Sequence, residues 1–229
     1  GVKYWDAQFD DSRVAVLLAR TAQARGALVL NHVAATGLRR DAGKVHGLVV
    51  RDGETGESFE LEARCVVNAT GVWVDAVRDM DRDARAPKRR AMVAPSQGVH
   101  LVVDRAFLPG THALMVPKTA DGRVLFAVPW FGKVILGTTD TPRDDIVLEP
   151  RPFKAEVDFI LREAGRYLAK QPTRADVRSI WVGLRPLVRP PDDDGENTKA
   201  ISREHTVIVG HSGLVTVTGG KWTTYRAMA

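Results

Sequence analysis

Two hydrophobic periods alternate along the chain, and each change of period marks an element boundary. Val14, Leu17, Leu18 and Thr21 recur at helical spacing behind Asp11 and Ser12, which read as an N-cap, and Gly26 supplies the stop. The apolar run Ala27 to Val33 follows at once and predicts a strand. Two alternating stretches, Lys44 to Arg51 and Glu57 to Leu61, flank Asp52-Gly53-Glu54-Thr55-Gly56 and predict a hairpin with one face in water. Arg64 to Gly71 reads as a buried strand ending in a tight turn, with a short helix from Trp73 to Met80 behind it.

The pattern shifts near residue 81. Asp81 to Arg90 is charged and contains proline, so it reads as a linker or crossover. Short strands are predicted at Ala91 to Val93, Val99 to Val103, Ala113 to Val116, Val124 to Val128 and Val134 to Gly137, with the spacing of an antiparallel sheet. Phe153 to Lys170 fits one long amphipathic helix, with Val157, Ile160, Leu161, Ala164 and Leu168 on its apolar side. Strand signals resume from Val177 to Leu187, a solvated loop spans Pro190 to Glu196, and paired strands are predicted at Thr206 to Gly210 and Leu214 to Thr218. Gly219-Gly220-Lys221 then opens a helix.

Composition narrows the class. The chain has 229 residues, 44% hydrophobic and 27% charged, which suits a globular protein and excludes a disordered tail or a collagen. A net charge of +5 suits an anionic ligand and calls for no nucleic acid. Cys65 is the single cysteine, so neither an intrachain disulfide nor a cysteine metal cluster can form, and no metal site is expected. The apolar runs fall short of the roughly 18 residues of a membrane-spanning helix. The first residues carry no signal-peptide pattern. Without a starting methionine, and with a helix under way at Tyr225 to Ala229, the chain reads as a piece of something longer.

Five segments carry candidate chemistry. In Val67-Asn68-Ala69-Thr70-Gly71-Val72-Trp73 a strand runs into small residues and then a helix, which either cradles a phosphate or is an ordinary strand-to-helix turn. In Thr218 to Arg226, two glycines open the backbone where a helix begins, and Lys221 stands ready for an anion; this loop suits a phosphate or a reduced flavin ring, but it is not a Walker A loop. Arg185, in an apolar strand before Pro186, either ion-pairs structurally or points at an anionic substrate. Arg203 is either a second guanidinium for that anion or a surface charge. His100, in Gly98-Val99-His100-Leu101, is either a general base near neutral pH or a satisfied strand histidine. Gly137-Thr138-Thr139-Asp140-Thr141-Pro142 reads as a structural turn.

Taken in order, Tyr4-Trp5-Asp6 with Asp10-Asp11-Ser12-Arg13, Val67 to Asp75, Gly98-Val99-His100, Ile135 to Asp140, Gly183-Leu184-Arg185-Pro186-Leu187, Ile201 to His205 and Gly219 to Arg226 resemble the FAD-dependent (aerobic) glycerol-3-phosphate dehydrogenases. These belong to the wider D-amino-acid-oxidase-like flavoprotein superfamily. The resemblance implies oxidation of sn-glycerol 3-phosphate to dihydroxyacetone phosphate, with hydride passing from C2 to flavin N5 and electrons going on to a quinone. It implies that residues matching Arg185, Arg203, Lys221 and His100 line the substrate site. Three cations suit a phosphate dianion, with arginine gripping two oxygens at once. His100 would take the hydroxyl proton, with Arg185 and Lys221 beside the reacting centre. Gly219, Gly220, Lys221 and Thr223 would face the flavin, Ala69, Thr70, Gly71 and Trp73 would lie along the dinucleotide, and Ala35, just past the strand ending at Val33, would offer backbone near the adenine.

The same resemblance implies a fold of α/β plus α+β class. Residues 1–80 would be a partial FAD-binding domain of the glutathione-reductase-like kind, residues 81–205 a substrate domain with an antiparallel sheet, and residues 206–229 a returning strand and helix. No Gly-x-Gly-x-x-Gly occurs in the 229 residues, so the chain is expected to match the middle of such an enzyme and to have little activity alone. Cytoplasmic synthesis with peripheral association on the inner membrane face is expected. The competing readings are another oxidoreductase of this superfamily acting on an amine or 2-hydroxy acid, and a non-catalytic module binding an anion or a partner.

Overall fold

The computed structural model describes residues 1–82, 90–120, 122–189 and 204–229. Arg203, the Pro190 to Glu196 loop and most of the 81–90 stretch therefore lie outside the described residues. The chain is a mixed α/β protein with antiparallel sheets. It runs α1 (Asp11–Ala24), β1 (Val33–Asp41), β2 (Lys44–Asp52), β3 (Ser58–Glu62), β4 (Val67–Asn68), α2 (Val74–Met80), β5 (Val93–Asp104), β6 (Leu114–Val116), β7 (Leu125–Trp130), β8 (Lys133–Gly137), β9 (Thr141–Pro142), α3 (Lys154–Gly165), β10 (Ser179–Val188), β11 (His205–Val209), β12 (Val215–Gly219) and α4 (Tyr225–Met228).

The largest sheet has the order β10-β5-β8-β7-β6, all antiparallel, with β9 on the end of β5. Its strands alternate with period two, so each face has one job. Val99, Leu101 and Val103 of β5, Leu125 and Ala127 of β7, and Val134 and Leu136 of β8 are almost wholly buried on one face. Val157, Ile160, Leu161 and Ala164 of α3 pack on them to complete the core. The intervening residues, His100 and Ile135 among them, point to the other face.

Two smaller sheets complete the fold. β1-β2-β3 is an antiparallel meander; in β11-β12-β4, β12 runs parallel to β4, pairing Val215 with Val67 and Thr216 with Asn68. A small cluster of Val45, Val66 and Leu214, backed by Leu38 and Leu48, sits between these sheets.

Several expectations need correction. The α1 N-cap is Asp10, whose Oδ1 accepts the Arg13 N–H at 3.0 Å, one residue ahead of the Asp11-Ser12 reading. Ala27 to Leu30 forms no strand, because no strand among the described residues pairs with it, and the strand begins at Val33 after His32 takes a positive φ of 56°. Ala35 is consequently inside β1, opposite Val50, and not past a strand end. β4 is only two residues long, and Val93 and the 99–103 stretch belong to one twelve-residue strand that leaves out Ala91 and Met92. α3 stops at Gly165 rather than Lys170, since Gln171 folds back to donate its amide to the Leu161 carbonyl at 2.8 Å, through space that a side chain at Gly165 would fill. Thr141-Pro142 pairs with β5 as a short strand. The chain after Lys221 makes one tight 3-10 turn, Trp222–Thr224, before the four-residue α4.

Candidate functional site

The face of the main sheet turned away from α3 carries a ladder of three facing pairs on β5 and β10: His100 with Trp181, Gly98 with Gly183, and Ser96 with Arg185. Each pair uses its side chains differently. The His100 ring stacks on the Trp181 indole, with centroids 5.3 Å apart and planes 16° from parallel. Gly137 of β8 makes room for that ring, since a methyl group there would overlap it. Gly98 does the same for the Arg185 guanidinium, which lies where a Cβ at position 98 would be. Gly183 has no atom within 4 Å of its own Cβ position, so the ground between Trp181 and Arg185 is open.

Arg185 is fixed by the turn that follows β8. Its Nη1 donates to the Thr139 carbonyl and its Nη2 to the Thr138 hydroxyl, both at 3.0 Å. Burial pushes the His100 imidazole down to about 4, and the positive charge of Arg185 adds to the effect. His100 is therefore neutral at pH 7 and has a lone pair with which to accept a proton.

Two clefts open over this face. One, of about 720 Å³, is bounded by His100, Trp181, Phe126, Trp130 and Thr138. The other, of about 890 Å³, runs from Arg185 to Gly219, Gly220, Lys221 and Thr223. Gln8, Phe9, Asp11 and Ser12 line both, so the segment leading into α1 forms the wall between them. Gln8 anchors that wall by donating to the Pro129 carbonyl at 3.2 Å.

The second cleft suits one end of a flavin. Gly219 and Gly220 both hold positive φ, 79° and 77°, and a Cβ on either would run into neighbouring atoms, so this rim of the cleft stays bare backbone. Next to them the hydroxyl of Thr218 is buried with no hydrogen-bond partner among the described residues. Lys221 adds a cation. Gly-x-Gly-x-x-Gly is absent from the sequence, so a diphosphate cradle of that kind is not supplied by these residues.

The structure thus brings His100, Arg185, Gly219, Gly220, Lys221 and Thr223 to the walls of adjoining clefts. Ala35, Ala69, Thr70, Gly71 and Trp73 line neither of these two clefts, while the parallel pairing of β4 with β12 sets the turn after Asn68 at the same end of that sheet as Gly219. The 68–74 turn is braced locally: the Asn68 amide donates to the Val74 carbonyl at 2.9 Å, and its oxygen accepts from the Thr70 hydroxyl at 2.8 Å. Sequence reasoning missed Trp181, the Gln8 to Ser12 wall and the two threonines that hold Arg185. The spacing of Gly98, His100 and Gly183, Arg185 at strand period was the available signal, because two facing glycines between a histidine and an arginine make space where a core would be filled.

Comparison with known proteins bears on the whole chain. The chain is 44% identical to a probable mitochondrial glycerol-3-phosphate dehydrogenase of Caenorhabditis elegans over 99% of its length and 31% of the relative's. It is 41% identical to the mitochondrial glycerol-3-phosphate dehydrogenase of Saccharomyces cerevisiae, over 99% of this chain and 39% of that one. The chain spans between about a third and two fifths of the length of these relatives. The crystal structure of the glycerol-3-phosphate dehydrogenase from Bacillus halodurans complexed with FAD superposes with a TM-score of 0.81 at 37% identity, covering 96% of this chain and 41% of that one. The family model for FAD dependent oxidoreductases matches residues 1–226. With the match running almost end to end, the chain belongs to the FAD dependent oxidoreductase family.

Proposed function

We propose that this chain takes part in the FAD-dependent oxidation of sn-glycerol 3-phosphate at C2 to dihydroxyacetone phosphate. The observation that carries the reading is the placement of a neutral imidazole and a fixed guanidinium on one sheet face, with His100 lining one cleft and Arg185 lining the adjoining one together with Lys221. The names of the relatives similar to this chain over its full length support the same substrate.

Bound FAD supplies the acceptor for the hydride that leaves C2. The residues of this chain do the rest. Arg185 and Lys221 hold the phosphate by charge-assisted hydrogen bonds; the third cation that the resemblance implies, Arg203, lies outside the described residues. A ring nitrogen of His100 takes the proton of the C2 hydroxyl as the carbon–oxygen double bond forms, and a bound dianion beside it raises the basicity that burial has lowered. Gly219, Gly220, Lys221 and Thr223 hold the flavin end, while Ala35 and the Ala69, Thr70, Gly71, Trp73 turn face the rest of the dinucleotide. Within this reading the chain divides into residues 1–80 and 206–229 on the cofactor side and 81–205 on the substrate side. A quinone receives the electrons onward at the inner face of a membrane, with the protein made in the cytoplasm; no helix among the described residues is long and apolar enough to cross that membrane.

The test is anaerobic reduction of the full-length, FAD-loaded enzyme. Glycerol 3-phosphate is expected to bleach the flavin, while glycerol, a 2-hydroxy acid and an amino acid leave it oxidised at equal concentration. Bleaching by the acid or the amine, without bleaching by glycerol 3-phosphate, would overturn the assignment.

A further inference from the structure

The turn that grips Arg185 is itself held from the opposite face of the sheet, by a carboxylate that plays no part in the reaction. Glu156 lies in the first turn of α3, on the core side, and is only 5% exposed. Four donors meet it. Oε2 accepts from the Gln97 amide at 2.7 Å and from the Phe153 N–H at 2.8 Å. Oε1 accepts from the Thr141 hydroxyl at 2.6 Å and the Thr139 hydroxyl at 3.1 Å. Capping α3 requires only the bond from Phe153; both Oε1 bonds go to the turn.

Thr139 faces both ways. Its hydroxyl accepts the Val99 N–H at 3.0 Å, so its single hydrogen is directed to Glu156, and its carbonyl accepts from Arg185 on the site face. The donor order in this chain is fixed from end to end, and it needs an acceptor at position 156.

We infer that Glu156 is a positioning residue for the anion site: it locks the Thr138 to Thr141 turn so that the Thr139 carbonyl and Thr138 hydroxyl hold Arg185 at the cleft. The inference rests on Arg185 gripping the substrate phosphate, as proposed above. Glu156→Gln preserves shape but replaces one acceptor oxygen with NH₂. Turned toward the threonines, the amide takes away the acceptor for the Thr139 hydrogen; turned the other way, it meets the Phe153 N–H.

The experiment is a double-mutant cycle in the full-length, FAD-loaded enzyme with Glu156→Gln, Arg185→Ala and both together. Calorimetry gives the Kd for sn-glycerol 3-phosphate, and steady-state assays give KM and kcat. Glu156→Gln is expected to raise Kd and KM about tenfold, as loss of one charge-assisted contact does, with kcat within about threefold of the parent. On top of Arg185→Ala it should add less than about twofold, because both act through one guanidinium. An additive double variant, or a fall in kcat at unchanged Kd, overturns the role of Glu156 while leaving Arg185 in place. An unchanged Kd in Arg185→Ala removes the phosphate reading instead, and the Glu156 assignment falls with it. Should Glu156→Gln fail to fold, Thr141→Val removes one donor to Oε1 without touching the helix cap. It is expected to raise KM about two- to threefold, and an unchanged KM counts against the inference.

Discussion

Residues 93–188 and the remainder of the chain are built from the same kinds of element and reach very different interiors. In the first region fourteen apolar residues from the β5 to β8 sheet and α3, with the 107 and 168 positions at its edge, close into one buried cluster. In the second, three do among the described residues. The helix α1 buries no residue, and Leu28 and Leu30, just behind it, are 80% and 52% exposed. The difference is one of cover rather than composition. The main sheet has a helix lying along one face, and that face sheds water completely. α1 and the 27–30 segment have the apolar pattern, and no surface among the described residues is laid against it. A hydrophobic period specifies an element; a core also needs the second layer.

The contrast is most directly broken by deleting methyl groups on each side of it. Ile160→Ala should cost on the order of 2–5 kcal/mol, the range for a buried aliphatic residue that leaves a cavity. Leu17→Ala, half-exposed on α1, should stay within about 0.5 kcal/mol. Urea unfolding followed by tryptophan fluorescence measures both. A loss above about 1 kcal/mol at Leu17 would mean that α1 has a packing partner after all.

A second measurement asks whether the site face of the main sheet is as firmly organised as its core face. His100 titrates at about 4 when folded against an ordinary 6.5, because of burial and then Arg185. The unfolded chain takes up the proton first, so the stability contributed by keeping this ring neutral is complete above pH 6.5 and declines as pH falls toward 4. Across that window the loss is on the order of 3 kcal/mol. Asp104, held down to about 2 by hydrogen bonds from Arg178 and then Lys133, acts only at lower pH. In His100→Asn the slope of stability between pH 6.5 and pH 4 should flatten. An unchanged slope would show that the ring is not held away from water.

How far the sequence discloses this molecule follows the same division. The hairpin of β2 and β3 and the strands of the main sheet are legible because alternation is local and each has its partner close by. The run Ala27 to Leu30 misleads because its apolar character is real while no strand among the described residues pairs with it. At the site, His100, Arg185, Gly219 and Lys221 can be named from the sequence as candidates, each with a structural alternative, and only their ordered set with the other motifs singles them out. The Thr138-Thr139 turn does not, since two threonines after a strand are unremarkable until the fold carries Arg185 of β10 to them across 46 positions of sequence. Trp181 is hidden for a related reason: its meaning depends on the register that sets it opposite His100. Local chemistry is readable from local sequence, and anything set by strand register is not.

The finest test uses the two glycines that face each other in that register. They share a rung of the ladder, yet their missing side chains matter in opposite ways. A Cβ at 98 would strike the Arg185 guanidinium, whereas one at 183 would meet nothing within 4 Å. Gly183→Ala should therefore leave stability unchanged or raise it by up to about 0.5 kcal/mol, since alanine loses less chain entropy than glycine in a strand. If the open ground between Trp181 and Arg185 is where a ligand rests, binding of sn-glycerol 3-phosphate to the full-length enzyme should weaken step by step from Gly183→Ala to Gly183→Val while the melting temperature holds. Gly98→Ala should lower both together, because it disturbs Arg185 before any ligand arrives. Equal affinity in the parent and Gly183→Val would place the ligand elsewhere and leave the gap at 183 as unused space.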